Sequence, residues 1–273
     1  MKVAELFDLR GRTAVLTGGM GQLGAQYACA LAAHGARVAV FDMTDQLKIP
    51  NDDFETHRDA GQIRCYHVDI TDADSIRTGL GSVTSEGEIP RILVNNAALD
   101  SPPDAPAEEV GPFETYPEAS FDTVMDVNVK GTLLLCQVVG GAMAEGGGGS
   151  IINISSAYGI LSPCQDVYEY RRLRGETFYK PVAYSVSKSA ILNLTRYLAT
   201  YWAGKRVRVN TLTPGGVFNH QPEEFLSAYC KRVPMDRMAD EHEMNGALIF
   251  LASDASSYVT GTNLIVDGGL SAW

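Results

Sequence analysis

Short apolar, β-branched runs alternate along this chain with longer stretches of helical periodicity. The runs are TAVLT at 13–17, RVAVFD at 37–42, IRCYHVD at 63–69, RILVNN at 91–96, SIINIS at 150–155, RVRVNTL at 206–212 and NLIVD at 263–267. Most are nearly continuously apolar rather than strictly alternating, which marks strands covered on both faces. Regular alternation with helical patterns predicts parallel strands joined by helical crossovers. The expected fold is one α/β domain over residues 1–273, a Rossmann-like doubly wound parallel sheet of about seven strands. Helix boundaries follow the same plan: Gly35 closes the first helix, Ser120 is the expected cap of the helix FDTVMDVNVKGTLLLCQVV, and Gly204 follows a helix beginning near Val182.

Two stretches break the rhythm. Residues 99–119 (LDSPPDAPAEEVGPFETYPEA) are rich in proline and acidic side chains, and residues 157–180 form a second irregular segment ending GETFYK. They follow the fourth and fifth strands, so both leave the carboxyl edge of the sheet, where open α/β sheets bind ligands. They are expected to be loop insertions forming a substrate lid.

Composition narrows the partners. With 45% hydrophobic and 20% charged residues the chain can bury an ordinary core, while a formal net charge of -11 and no basic cluster argue against nucleic acid or an anionic membrane surface. The start, MKVAELFDLRGRT, is too polar for a signal peptide, and no apolar run reads as long enough to cross a bilayer, so a cytoplasmic location is expected. Cys29, Cys65, Cys136, Cys164 and Cys230 lack C-x-x-C spacing, and the five histidines lack ligand spacing, so neither a disulfide framework nor a metal is expected.

The chemistry begins at Thr17-Gly18-Gly19-Met20-Gly21-Gln22-Leu23-Gly24, between the first strand and the first helix. Such a segment supplies a tight turn, close backbone approach and free N–H groups for a pyrophosphate. Asp42 ends the second strand, where a carboxylate can accept hydrogen bonds from ribose hydroxyls and repel a 2′-phosphate, which favours NAD over NADP. Tyr184 and Lys188 lie one turn apart on one helical face. A tyrosine ionises near pH ~10, and a neighbouring ammonium stabilises its phenolate for general acid/base work.

Further motifs fall in order: Asp69-Ile70 after strand three, Asn95-Asn96-Ala97-Ala98 after strand four, Asn128 in VNVKG, Ser155-Ser156 after strand five, Pro214-Gly215, and Val266-Asp267-Gly268-Gly269. Together with the glycine turn and Tyr184-x-x-x-Lys188, the set resembles the short-chain dehydrogenase/reductase family along nearly the whole chain. The resemblance implies an NAD-dependent oxidoreductase that moves a hydride at a carbinol or carbonyl carbon. It implies adenine contacts from Asp69 and Ile70, a brace from Asn95 with Ala97 beside the cofactor, and a nicotinamide wall of Pro214, Gly215 and Val217. Lys188 would serve both Tyr184 and the nicotinamide ribose, and Ser156 would orient substrate, with Ser155 as the alternative. Asn128 would kink its helix and hold a water leading to Lys188. Family members form homodimers and homotetramers, and the helix at 182–203 carries more apolar residues, among them Leu192, Leu194, Tyr197 and Tyr201, than one core stripe needs.

Three positions depart from the family pattern. Gln22 occupies a usual glycine position, and the spacing of Gly18, Gly21 and Gly24 matches the branch of sugar-nucleotide epimerases and dehydratases, which remains an alternative. That branch carries a separate C-terminal substrate domain, for which little chain follows the VDGG motif. A catalytically silent cofactor-binding protein is a third reading, though such a protein is expected to lack Tyr184 or Lys188. Second, Ser156 and Tyr184 stand about twice the usual distance apart, because an insertion holds Tyr168, Tyr170, Arg171, Arg172, Arg174 and Lys180. Third, Asn219 replaces the threonine that meets the nicotinamide carboxamide in the family, and its amide can make the same kind of bond. Arg171, Arg174 and Gly216 are candidate substrate contacts: an arginine fork suits a carboxylate or phosphate, while pairing with loop acids explains the charges equally well. The segments FYKPVAYSVSK and PGGVFN resemble bacterial family members acting on sugars and sugar acids, of the gluconate and nonulosonate-pathway types. A polyhydroxylated substrate is therefore expected.

Overall fold

The computed structural model describes residues 2–85, 87, 89–100 and 107–273. Seven strands form its sheet: β1 (Thr13–Thr17), β2 (Arg37–Asp42), β3 (Ile63–His67), β4 (Ile92–Asn95), β5 (Gly149–Ile154), β6 (Val207–Pro214) and β7 (Asn263–Val266). Every pairing is parallel, and the order is β3-β2-β1-β4-β5-β6-β7, so the winding reverses between β1 and β4. The single expected domain is the one observed, with a sheet of the expected size.

Period-two packing explains why the strands read as continuous apolar runs. Ala14, Leu16, Val38, Val40, Ile92, Val94, Ile152 and Ile154 enter one core layer, and Val15, Ala39, Phe41, Leu93 and Ile151 enter the other. Helices α1 (Gln22–Ala33), α2 (Asp52–Asp59) and α3 (Ala73–Thr84) follow the first three strands. Asn51 and Asp72 cap α2 and α3 by accepting bonds from the amides of Phe54 and Asp74. Gly35, at φ 95°, follows the end of α1, as expected.

Helix α4 (Glu118–Glu145) corrects two expectations. By length and composition it could cross a membrane, although no run was expected to. Instead Leu135, Val139 and Met143 are buried against Leu93, Ile151 and Trp202, so it is a core helix. It also begins before Ser120, behind Pro117, and the Ser120 hydroxyl donates to Glu109 Oε1 at 2.8 Å rather than capping. Two π-helical stretches, Asp126–Gly131 and Cys136–Gly140, interrupt it.

The segment at 157–180 is folded rather than irregular: it contains α5 (Glu169–Leu173) and two 3₁₀ turns. After it come α6 (Val182–Tyr201), α7 (Glu223–Cys230) and α8 (Asn245–Ala252). A third apolar cluster joins this insertion to α7 and the C-terminal segment through Val110, Val167, Tyr168, Phe178, Tyr229, Val233 and Leu270. The Tyr168 ring packs 4.7 Å from Phe178 and 5.6 Å from Phe225, centroid to centroid. Of the other insertion, residues 107–119 are described and contribute Val110 to this cluster; residues 101–106 fall outside the described set.

Phe178 is 1% exposed at the centre of that cluster. Replacing it with alanine is expected to destabilise the protein by about 3–5 kcal/mol, read from urea denaturation. An unchanged midpoint would show that the insertion opens independently of the main core.

Candidate active site

The loop between β1 and α1 folds as a turn that only small residues permit. Gly18 has φ 66°, and a Cβ at Gly24 would lie 2.0 Å from the Gly18 carbonyl oxygen. Gly21 differs, because a Cβ there would meet nothing closer than that oxygen, at 3.5 Å. Its bareness is not needed for packing; it leaves room in the cleft that the turn borders. No side chain caps α1, so its first-turn amides, from Gln22 onward, lack intrahelical acceptors and are available to an anion.

This cleft, of about 720 Å³, runs along the carboxyl ends of the strands. Gly18, Gly21, Gln22, Leu23, Gly24, Asp42, Asp69, Ile70 and Ala97 all line it. The Asp42 carboxylate accepts from the Met20 amide at 3.0 Å and the Thr44 amide at 3.3 Å, which fixes it at the mouth of the turn. Asp69 is held by the Thr71 hydroxyl and amide at 2.7 and 2.8 Å, and those bonds keep its carboxyl below the usual range. A glycine-floored cradle with free helix amides and a strand-end carboxylate fits a dinucleotide.

Thr17 is a brace rather than a cleft wall, and Asn95 takes the bracing place expected of it. Thr17 is fully buried, and its Oγ1 accepts from the amides of Asn96 and Ala97 at 3.1 and 3.0 Å. Asn96, in turn, donates to the carbonyls of Thr17 and Gly18 and faces the cleft in place of Asn95. Asn95 turns into the sheet, where its amide donates to Asn153 Oδ1 at 2.7 Å. Asn153 then donates to Thr195 Oγ1, which also accepts from Thr211. Register explains this buried run: Asn95, Asn153 and Thr211 are direct neighbours across β4, β5 and β6.

Tyr184 and Lys188 project from the first turns of α6, as their spacing requires. Lys188 is 4% exposed, and its ammonium donates to the Ile154 carbonyl at 2.8 Å and lies 5.8 Å from the Tyr184 ring centre. Burial lowers its pKa to about 8, against a smaller opposing pull from Asp100. The Tyr184 ring is half-buried, with its hydroxyl in a desolvated surround. Burial, reinforced by the Asp100 charge, pushes the phenol above its ordinary range, and a hydrogen bond from Ser156 opposes this.

The two serines after β5 divide their work. Ser155 is buried, and its hydroxyl donates to the Lys188 carbonyl at 2.8 Å, locking α6 to the sheet. Ser156, whose Oγ accepts from the Tyr158 amide at 3.2 Å, lies close enough to Tyr184 to pull its phenol down, so the long insertion between them does not separate them in space. Asn128 lies in the first π-helical stretch of α4, which is the expected irregularity. Its side chain accepts from the Leu99 amide at 2.7 Å and donates to the Leu99 carbonyl and the Ser187 hydroxyl, both at 2.9 Å.

The strand β6 ends in Pro214, and the Gly215 amide donates to the Val266 carbonyl. Gly216 donates to the Tyr229 hydroxyl at 2.8 Å, and Val217 pairs with Ala239. Asn219 is exposed, its amide bonded to Gln221 Oε1. Gln22, in place of the usual glycine, donates to the Phe218 carbonyl at 2.8 Å and so ties the glycine turn to this segment. Arg171 pairs with Glu176 at 2.6 Å and stacks on Phe178, while Arg174 pairs with Glu224 and lies over Tyr170. Of the two readings for these arginines, the pairing with nearby acids is the one seen: Arg171 within the insertion and Arg174 with α7.

Sequence reasoning did not single out Asp100 as a site residue, and it named Lys180 only as part of the insertion. They form an ion pair of 2.5 Å, with the Lys180 ammonium 5.3 Å from the Tyr184 ring centre. A partial signal existed for the lysine alone: Lys180 precedes Tyr184 by four residues as Lys188 follows it by four.

A family profile described as enoyl-(acyl carrier protein) reductase matches residues 20–271. A D-threitol dehydrogenase of Mycolicibacterium smegmatis is 32% identical, over 96% of this chain and 94% of its own. A short-chain dehydrogenase from Leptospira borgpetersenii, solved with bound NAD+, is 29% identical with a TM-score of 0.83, over 97% of this chain and 94% of its own. A gluconate 5-dehydrogenase from Burkholderia cenocepacia, solved with NADP and tartrate, is 27% identical with a TM-score of 0.82, over the whole of both chains (100% each). With the glycine cradle, Tyr184, Lys188 and Ser156 assembled at the same edge of the sheet, the chain belongs to the short-chain dehydrogenase/reductase family.

Proposed function

We propose that this protein is an NAD-dependent dehydrogenase of a secondary alcohol on a polyhydroxylated substrate, a polyol, sugar or sugar acid. The observation that carries the proposal is Tyr184, bonded by Ser156 and flanked by the buried Lys188, beside a cleft that ends at Asp42. A bound nicotinamide dinucleotide supplies the hydride acceptor, which no side chain can. Gly18, Gly21, Gly24 and the first amides of α1 would hold its pyrophosphate, and Asp42 its adenosine ribose. Tyr184 exchanges the alcohol proton, Ser156 donates to the reacting oxygen, and Lys188 stabilises the phenolate. The named relatives that act on threitol and gluconate support a substrate of this class. These relatives are named as dehydrogenases, which favours this reading over the epimerase one.

Wild-type protein is expected to form NADH with at least one member of a panel of polyols, aldoses and aldonates. Tyr184→Phe should lower kcat by about 10²–10⁴ while NADH binding persists. Ser156→Ala should reduce turnover with little loss of stability, and Ser155→Ala should chiefly lower the melting temperature. NADH binding without turnover on any substrate would favour the silent-binder reading.

Asp42 would meet the 2′-phosphate of NADP with like charge; at ~4 Å and an effective dielectric constant of ~20, two such charges repel by ~4 kcal/mol. Asp42→Asn is expected to raise the NADP to NAD ratio of kcat/KM by about tenfold or more. A wild-type enzyme already preferring NADP would overturn the coenzyme assignment.

A homo-oligomer formed through α4 and α6 belongs to the same proposal. On α6, Tyr197 and Tyr201 are stacked yet 62% and 66% exposed, more aromatic surface than a solvated helix face carries. Sedimentation velocity should show a dimer or tetramer that Tyr197→Asp weakens; a wild-type monomer at assay concentration would refute it.

A further inference from the structure

Beside Tyr184 lies a charged pair that the proton transfer itself does not use. Lys180 is 9% exposed, yet its ammonium meets the Asp100 carboxylate at 2.5 Å. The two come from different insertions, Asp100 from the segment after β4 and Lys180 from the end of the segment after β5. Lys180 is held from both sides: its amide donates to Gln165 Oε1 at 2.9 Å, and its carbonyl accepts from Gln165 Nε2 at 3.2 Å. A single side chain thus fixes the lysine backbone just before α6 begins.

Burying an ammonium costs desolvation that one ion pair barely offsets, so the arrangement is a poor device for stability alone. Its geometry suits recognition better. The carboxylate side chain is 59% exposed while the lysine stem is buried, so the pair presents its acid outward and anchors it from behind. The ammonium stands 5.3 Å from the Tyr184 ring, and the Asp100 charge is felt at both Tyr184 and Lys188. Both members therefore lie beside Tyr184.

We propose that Asp100 and Lys180 form a specificity-determining pair that grips the hydroxyl next to the oxidised carbinol, Asp100 accepting its hydrogen and Lys180 donating to its oxygen. The inference rests on the polyol reading above and assigns to these two residues the selection of a vicinal diol over a simple alcohol. A site built to bond a hydroxyl discriminates strongly against an analogue lacking it, because its own polar groups are then left unpaired.

The test measures kcat/KM for D-threitol, butane-2,3-diol and butan-2-ol with NAD, each variant at its own pH optimum because Asp100 also acts on Tyr184 through its charge. Wild type should prefer the two vicinal diols. Lys180→Met and Asp100→Asn should lower kcat/KM for threitol and the diol by about a hundredfold, mostly in KM, and leave butan-2-ol within about threefold. Lys180→Arg should restore part of the preference. Should Lys180→Met fail to fold, shown by its melting curve and NADH fluorescence titration, Gln165→Ala loosens the same lysine and should cause a smaller loss in the same direction. Equal losses on all three substrates, or no loss, overturn the pair alone. A wild type inactive on both diols yet active elsewhere in the panel of polyols, aldoses and aldonates also overturns the pair alone, and one inactive on the whole panel overturns the dehydrogenase reading and the pair with it.

Discussion

The site depends on how β1 and β4 are joined at the point where the sheet reverses its winding. Parallel strands on either side of such a point send their following loops to opposite faces, which opens a crevice between them. Here the crevice is held to a fixed width by Thr17, whose single hydroxyl accepts two amides from the segment after β4, and by Asn96, which returns two bonds to the glycine turn. Four hydrogen bonds in a buried setting leave the turn little freedom. The cradle's rigidity comes from a strand-end threonine and not from the glycines, which only make the close approach sterically possible.

From that crevice the chemistry is distributed along the carboxyl edge by the sheet register. Asn95, Asn153 and Thr211 stand side by side and are joined to Thr195 of α6, so the helix that carries Tyr184 and Lys188 is indexed to three strands by buried polar bonds. Ser155 adds a second index at the Lys188 carbonyl, and Asn128 a third through Ser187. A catalytic tyrosine needs placement to within a fraction of an ångström, and a helix fixed at several points provides it. The same burial sets the electrostatics: it raises the phenol of Tyr184 and lowers the ammonium of Lys188, so the bond from Ser156 is the local counterweight.

The insertions build the other wall. Tyr168 and Phe178 fill the space above α7, Arg171 lies over Phe178, and Gln165 clips the end of the segment to the start of α6. Arg171 and Arg174 pair with Glu176 and Glu224, while the Lys180–Asp100 pair stands beside Tyr184 together with Lys188. The exposed acid on a buried lysine gives this wall a polar character suited to hydroxyl groups.

The sequence by itself determined most of the elements and the placing of Tyr184 and Lys188 together. Continuous apolar runs can only be strands covered on both sides, a Tyr-x-x-x-Lys spacing can only place both residues on one face of a helix, and a glycine turn between strand and helix has few other uses. Those are local facts of period and sterics, legible without a fold. Between Ser156 and its alternative Ser155, tertiary structure turns Ser155 onto the Lys188 carbonyl and leaves Ser156 beside Tyr184, because successive residues after β5 point in different directions. It also decided that Asn95 braces while Asn96 faces the cleft, because neighbours on a strand end point to opposite sides. Only packing shows that α4, long and apolar enough to cross a bilayer, is a core helix, since hydropathy cannot tell a helix buried in protein from one suited to lipid. Lys180 and Asp100 lie 80 residues apart, and no period or motif links them; only the convergence of two insertions at one sheet edge brings the charges together.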